Sequence, residues 1–393
     1  MINLDRLKPL QTLIQKEVAS GELFGSAVTV GTADGEVYTA AAGDIGPDTP
    51  VMLCSMTKPV TSVAASILME RGVLDAMDRV ADYLPGFSEL NVYENGILVP
   101  AKRDLLISDL LNMTSGVTYG LAPAKPGTPE AFMRKIQENW KERILSGEKM
   151  SNLDMLNELG QVPLMFHPGD HWNYGKSADL LAGVVEAASG MTYGEFLKKE
   201  IFEPLSMDQT AFYYEREQVP YVPRILMPQT DGSVRETTME EFYGDGLSLY
   251  EKPYMENGGG GVSPIMGRGL YASLNDYARF ARMLLRGGEL DGKRILSRFT
   301  VDTFAQNHLT EDQMKTLWPW MAGYGYGNLM RVMVNPALSY TNGRKGEFGW
   351  DGALGTYFFV DPEAGIYMVY MQQKPGGIIR RRLRNVAYSA IEG

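Results

Sequence analysis

The sequence is poor in the residues that most often announce a mechanism. Its 393 residues include one cysteine and three histidines. A lone cysteine, Cys54, excludes an intramolecular disulfide and fits a reducing compartment. Small buried packing residue is its ordinary role. His167, His171 and His308 form no His-Glu-x-x-His. Pro168 and Gly169 keep the first two off one helix face, so no metal site and no cofactor is expected. Basic charge is also short, with 37 Lys and Arg against 48 Asp and Glu, a net charge of −11. A nucleic-acid binder needs a basic footprint and a polybasic membrane contact needs the same, so neither partner is expected. No apolar run approaches the roughly 18 residues that span a bilayer. Met1 to Lys8 carries charges where a signal peptide has its apolar core, so the expected location is cytoplasmic. There is no Gly-x-Ser-x-Gly elbow. Gly287, Gly292 and Lys293 imitate a phosphate loop until Arg294 replaces its Ser or Thr.

What is present starts at Met52. The stretch Ser55-Met56-Thr57-Lys58 opens a long apolar run that includes Val60, Val63, Ala64, Ile67 and Leu68. Residues three apart share a helix face, so hydroxyl and amine can meet. A serine needs a neighbouring base to become a nucleophile, and a lysine is a base only when neutral. Apolar burial lowers an ammonium pKa and supplies that condition. The ordinary alternative is a helix cap with a snorkelling lysine. Ser146 and Lys149 repeat the spacing in a polar stretch with no apolar helix after it, and are expected to be a solvated coincidence.

The rest of the chain sets an architecture. Leu4 to Val18 has helical periodicity. Gly25 to Ala42 alternates around Asp34-Gly35 as a β-hairpin. Signals from Val73 to Ser189 are mostly helical, with Lys176 to Ser189 an apolar helix stopped by Gly190. Leu274 to Arg286 is an amphipathic helix capped by Ser273 or Asn275. The last seventy residues are strand-rich, with strands expected at Gly323 to Val334, within Glu347 to Val360, and at Ile366 to Gln372. Arg380 to Ile391 closes the chain as a helix. The expected fold class is α+β: an antiparallel sheet flanked by helices, with an inserted, mostly helical lobe. Residues 1–70 and 205–393 would form the α/β lobe and 71–204 the helical one, with the site in the cleft between them.

Tyr174, in Trp172-Asn173-Tyr174-Gly175-Lys176, leads into the apolar helix and can face such a cleft. Ser55 and Lys58, then Tyr174, then the Gly-bearing Phe348 to Pro362 stretch together resemble the serine β-lactamase and penicillin-binding-protein superfamily. The likeness is to its class C-like branch, with the family VIII carboxylesterases and related acyltransferases. Leu106 to Gly116 and Gly258 to Gly288 add to the resemblance, which runs from about Gly25 to Gln373. It implies the β-lactamase/transpeptidase-like fold and an acylated Ser55, with acid and base work shared by Lys58 and Tyr174. It also implies an oxyanion hole from the backbone N–H groups of Ser55 and Ala353. The third family motif falls at Trp350-Asp351-Gly352, and Gly352 is expected to leave room for substrate beside the strand.

Two departures shape the functional expectation. Trp350 stands where β-lactamases and carboxypeptidases place a lysine for the substrate carboxylate, which favours an uncharged small-molecule ester. Lys176 stands where the family pattern has asparagine, and is expected to supply the missing cation and to lower the pKa of both Lys58 and Tyr174. The alternative is a Lys176 pointing to solvent. Gln218 to Gly261, with Tyr243, Tyr250 and Tyr254, is expected to hold part of the substrate-binding surface, with Tyr243 as its candidate. The expected function is a serine carboxylesterase, with acyl transfer as the same chemistry toward another acceptor. A β-lactamase or D-amino-acid peptidase and an inactive binding relative are the competing readings.

Overall fold

The computed structural model describes residues 2–120, 124–213, 224–229, 231, 233–237, 269–376 and 379–392. Helix α1 (Pro9–Ala19) begins with a proline in its first turn, where the missing N–H has no helical partner to lose. It leads into the hairpin β1 (Gly25–Thr32) and β2 (Gly35–Gly43). Helices α2 (Thr57–Glu70), α3 (Ser177–Ser189) and α4 (Leu274–Leu285) follow, with the longer helix Pro129–Leu145 and several short elements between them. The chain then returns to the sheet with β3 (Tyr324–Gly327), β4 (Met330–Met333), β5 (Phe348–Asp351), β6 (Tyr357–Asp361) and β7 (Ile366–Gln372). It ends with α5 (Ile379–Ser389).

The strand order is β3-β4-β5-β6-β7-β1-β2, and every neighbouring pair is antiparallel. First and last segments therefore share one sheet, joined along Ser26↔Gln372 to Thr32↔Ile366. Strand β7 shows why this stretch reads as an unbroken apolar run. Side chains alternate between faces along a strand. Ile366, Met368 and Tyr370 enter one cluster with Leu10 of α1 and Leu383 of α5. Tyr367, Val369 and Met371 enter the other, with Tyr277 and Phe280 of α4. Both faces of the sheet are covered, so neither set is polar.

Helix α2 is the axis of the second cluster. Every residue from Thr57 to Leu68 is buried, as in a helix packed on all sides. Pro59 is tolerated because it lies in the first turn. Helix α3 packs alongside, and Gly190 ends it in the left-handed conformation at φ +68°. Ser273 caps α4 by accepting the Asp276 N–H.

Two sequence expectations needed correction. The stretch Gly323 to Val334 is not one strand but the hairpin β3–β4, turned by Asn328 and Leu329, both at positive φ. The expected helical region contains a hairpin, Asn91–Glu94 with Ile97–Pro100. Its turn is Asn95-Gly96, at φ +52° and +88°, the geometry that favours this dipeptide in two-residue hairpins. Within Gln218 to Gly261 a short hairpin, Ile225–Pro228 with Val234–Thr237, is described. Tyr243, Tyr250 and Tyr254 lie outside the described residues. Among the described residues no helix is long and apolar enough to cross a membrane.

Candidate active site

From Val51 to Leu68 every residue is buried except Ser55. Ser55 sits in a short 3-10 turn, Cys54–Met56, immediately before α2. It is not the helix cap; Met56 takes that position and makes no side-chain capping bond. Cys54 is buried at φ +48°, a backbone conformation that costs a non-glycine residue energy and persists only where the surroundings fix it. The surroundings do so on several sides. The Gln373 side chain accepts the Met52 N–H at 3.2 Å and donates to the Met52 carbonyl at 3.1 Å. The Leu53 N–H donates to the Leu270 carbonyl at 2.8 Å. Thr356 Oγ1 donates to the Leu53 carbonyl at 3.2 Å, and the Tyr277 hydroxyl to the Met56 carbonyl at 2.8 Å. A strained turn is thus held by Gln373 just after β7, by Leu270 before α4, by Tyr277 of α4 and by the chain leaving β5.

Lys58 is the second residue of α2, with its Nζ 3.2 Å from Ser55 Oγ. Its side chain is fully buried. Burial lowers its pKa to about 7, while Asp179 raises it and Lys176 lowers it further. A lysine so placed has a large neutral fraction at neutral pH and can accept the serine proton.

Tyr174 reaches the same point from the other side. Its loop runs beside Met113–Val117: the Asn173 N–H donates to the Met113 carbonyl, and the Lys176 N–H to the Val117 carbonyl. Ser115 Oγ and Ser177 Oγ lie 2.8 Å apart and tie the two segments together. Gly175 is required here, because a Cβ would collide with the Val117 carbonyl oxygen. The Tyr174 hydroxyl is in hydrogen-bond contact with Ser55 and accepts from Trp350 Nε1 at 3.1 Å. Its ring packs 4.9 Å from Trp318 and 5.5 Å from Trp350. The expectation that cations depress the Tyr174 pKa is overturned. Burial pushes it well up, and the hydrogen bonds with Ser55 and Trp350 only partly oppose this. At neutral pH Tyr174 is a phenol that can hand on a proton, not a phenolate base.

Lys176 is buried, not solvent-facing, and precedes α3 by one residue. Its Nζ lies 3.8 Å from Asp179 Oδ1 and 5.5 Å from the Tyr119 ring centroid, while Lys58 Nζ lies 5.7 Å from the same centroid. Asp179 is a site residue that sequence reasoning missed. An acidic residue in a first helical turn reads as an ordinary complement to the helix dipole. The overlooked signal was its place among Ala, Leu and Val on a helix with no polar face.

Strand β5 completes the group. Trp350 faces Tyr174, and Asp351 on the opposite face pairs with Arg331 at 2.7 Å and Arg380 at 2.9 Å. The room at Gly352 is taken by the protein itself. A Cβ there would collide with Thr356 Oγ1 and the Leu53 carbonyl, so the glycine lets the strand end close on the Ser55 turn. Ala353 follows in an exposed turn. His167 is buried in a loop wall, its Nδ1 accepting the Lys102 N–H at 3.3 Å. Among the described residues no cluster of three His, Cys, Asp or Glu side chains is placed to hold a metal.

A sheet built from both ends of the chain, a buried Ser-x-x-Lys helix and a tyrosine facing it define a family. The Beta-lactamase family model matches residues 10–390, and the chain belongs to that family. Among its relatives, esterase EstB of Burkholderia gladioli is 28% identical over 371 residues, 92% of this chain and 83% of EstB. Monacolin J acid methylbutanoyltransferase of Aspergillus terreus is 24% identical over 404 residues, 93% of this chain and 90% of the transferase. Among solved structures, EstCE1, described as a hydrolase with promiscuous acyltransferase activity, superposes with a TM-score of 0.78. The identity is 21%, with 98% of this chain and 99% of that one covered. Family and fold are thereby shown, and esterases and acyltransferases are among the relatives.

Proposed function

We propose that the protein is a serine carboxylesterase of the family VIII type, acting through an acyl-Ser55 intermediate on small uncharged esters. One observation carries this reading: Ser55 is the only residue not fully buried in an eighteen-residue stretch, and it touches both a depressed-pKa lysine and a phenol.

In the reaction Lys58 Nζ takes the Ser55 proton as Oγ attacks the ester carbonyl. The tetrahedral oxyanion is held by the backbone N–H groups of Ser55 and Ala353, each such donor being worth about 3 kcal/mol. The C–O bond to the alcohol then breaks, and the alkoxide takes the Tyr174 proton, which the Lys58 ammonium replaces. Water then attacks the acyl carbon and gives its proton by the reverse route to Lys58; the C–O bond to Ser55 breaks, Lys58 returns the proton to Ser55 Oγ, and the carboxylic acid leaves. Trp350 contributes an N–H to the Tyr174 oxygen but no positive charge, which supports an ester over a substrate carrying a carboxylate. The aromatic wall of Trp318, Tyr174 and Trp350 favours an apolar group beside the scissile bond. EstB, an esterase, supports the hydrolytic reading. The methylbutanoyltransferase supports the same acyl-enzyme passing its acyl group to another alcohol. A cytoplasmic setting belongs to this reading, supported by the single, buried cysteine.

The test is a panel of p-nitrophenyl esters, nitrocefin and D-amino-acid amides, with mass spectrometry of the Ser55 peptide. Ester turnover with an acyl adduct on Ser55 is the expected outcome. Nitrocefin turnover without ester turnover would replace the reading by a β-lactamase. No turnover and no adduct would replace it by a binding protein. Adding a second alcohol to the ester assay measures acyl transfer directly.

A further inference from the structure

Asp179 is fully buried, and neither of its carboxylate oxygens has a hydrogen-bond partner among the described residues. An isolated carboxylate would not remain ionised there, and two isolated lysines beside it would not remain charged. Together they form a set of one potential anion and two potential cations. A buried set costs least when its net charge is zero, which here means one ionised carboxylate and a single ammonium. Geometry says which lysine keeps the proton. Lys176 Nζ is 3.8 Å from Asp179 Oδ1, whereas Lys58 Nζ turns to Ser55 Oγ at 3.2 Å. We propose that Lys176 and Asp179 are a positioning pair in which Lys176 holds the ammonium that Asp179 calls for, so that the carboxylate does not draw a proton onto Lys58 and Lys58 stays the neutral base for Ser55. This rests on the acyl-serine reading above and deepens it.

Other titratable groups face the set from every packed element. Tyr119 and Tyr174 come from the loops, Tyr193 from the helix after α3, and Cys54 from the Ser55 turn. The three tyrosines are held well above their ordinary pKa by burial and stay neutral near pH 7. Asp179 and Lys176 therefore set the charge felt by Lys58, with opposite signs.

The opposite signs give the experiment. Asp179→Asn removes the attraction for a Lys58 ammonium, so Lys58 titrates lower, by about one pH unit. Lys176→Met leaves Asp179 with Lys58 as its cation, so Lys58 titrates higher by a similar amount. The double variant lies between the two. Two readouts follow the shift: the acid limb of kcat/KM for p-nitrophenyl acetate, and the Lys58 resonance in protein carrying [ε-13C]lysine, assigned by its absence from Lys58→Arg. A merely structural role for Asp179 lowers activity without moving either. Static titrations, or shifts of the same sign in both variants, overturn the proposal. If Asp179→Asn does not fold, the direction in Lys176→Met alone decides. The resonance is read whether or not an ester is turned over. Opposite shifts without turnover therefore uphold the charge set and sink the esterase reading, and turnover with a static resonance does the reverse.

Discussion

The chain carries two Ser-x-x-Lys spacings, and the structure places them in opposite settings. Ser55 precedes a helix, in a turn where every neighbour is buried. Ser146 follows one, as the C-cap of Pro129–Leu145, and its hydroxyl donates to the Arg143 carbonyl at 2.7 Å. Lys58 is buried against Ser55, whereas Lys149 is exposed. The same four-residue pattern therefore gives a buried, hydrogen-bonded pair in one place and a helix end in the other. What differs is the environment: burial supplies the neutral amine, and spacing supplies only proximity.

The largest contrast is expected at the serines. Ser55→Ala should reduce ester turnover on the order of 10⁴-fold or more. Ser146→Ala should leave kcat and KM unchanged, and a loss in Ser146→Ala comparable to that in Ser55→Ala would end the distinction between the two copies. The lysines come next. Lys58→Met should lower kcat/KM by about 10²–10⁴-fold, the usual range for a general base. In the wild type kcat/KM should rise with pH through about 7, because only the neutral amine accepts the proton. Lys149→Met should keep both the rate and this limb.

Stability should separate the lysines as well. The folded chain loses the Lys58 proton near 7, and the unfolded chain keeps it to about 10.5. Between those values the unfolded state binds more protons, so stability rises with pH by at most about 1.4 kcal/mol per unit from this group. Urea denaturation at pH 7 and pH 9 should show that slope in the wild type and in Lys149→Met, and a shallower one in Lys58→Met. The smallest effect concerns Trp350. Trp350→Phe removes the N–H that reaches Tyr174 and should cost about tenfold in kcat, the worth of one hydrogen bond. A steady-state assay showing no change would remove Trp350 from the proton path.

Much of this was legible in the residues. The terminal hairpin, the apolar helix after Ser55, the helix stopped by Gly190 and the late strands follow from periodicity and turn chemistry, which are local properties. Asn95-Gly96 was just as local a signal, but it lies between runs rich enough in helical signals to hide it. Asn328-Leu329 was hidden differently: leucine rarely takes positive φ, so nothing in the dipeptide interrupts an apparently continuous strand. The charge set was out of reach for a different reason. Whether Lys176 faces solvent or Asp179 depends on how the Met113–Val117 segment packs over it, and spacing along the chain does not contain that information. The role expected for Gly352 failed in the same way, since the atoms that fill its space belong to Leu53 and Thr356, not to a substrate.

That last contact has a consequence for how the protein stops working. Gly352, one residue before Ala353, closes on the carbonyl of Leu53, two residues before Ser55. In the proposed reaction the separation of the Ser55 and Ala353 N–H donors is therefore the tolerance of a fitted joint, set by the packing of Gly352 against Leu53 and Thr356. A joint of that kind fails by slackening before it fails by coming apart. Warming or mild denaturant should abolish turnover while the seven-stranded sheet is still intact, and inactivation should run ahead of the loss of far-ultraviolet circular dichroism.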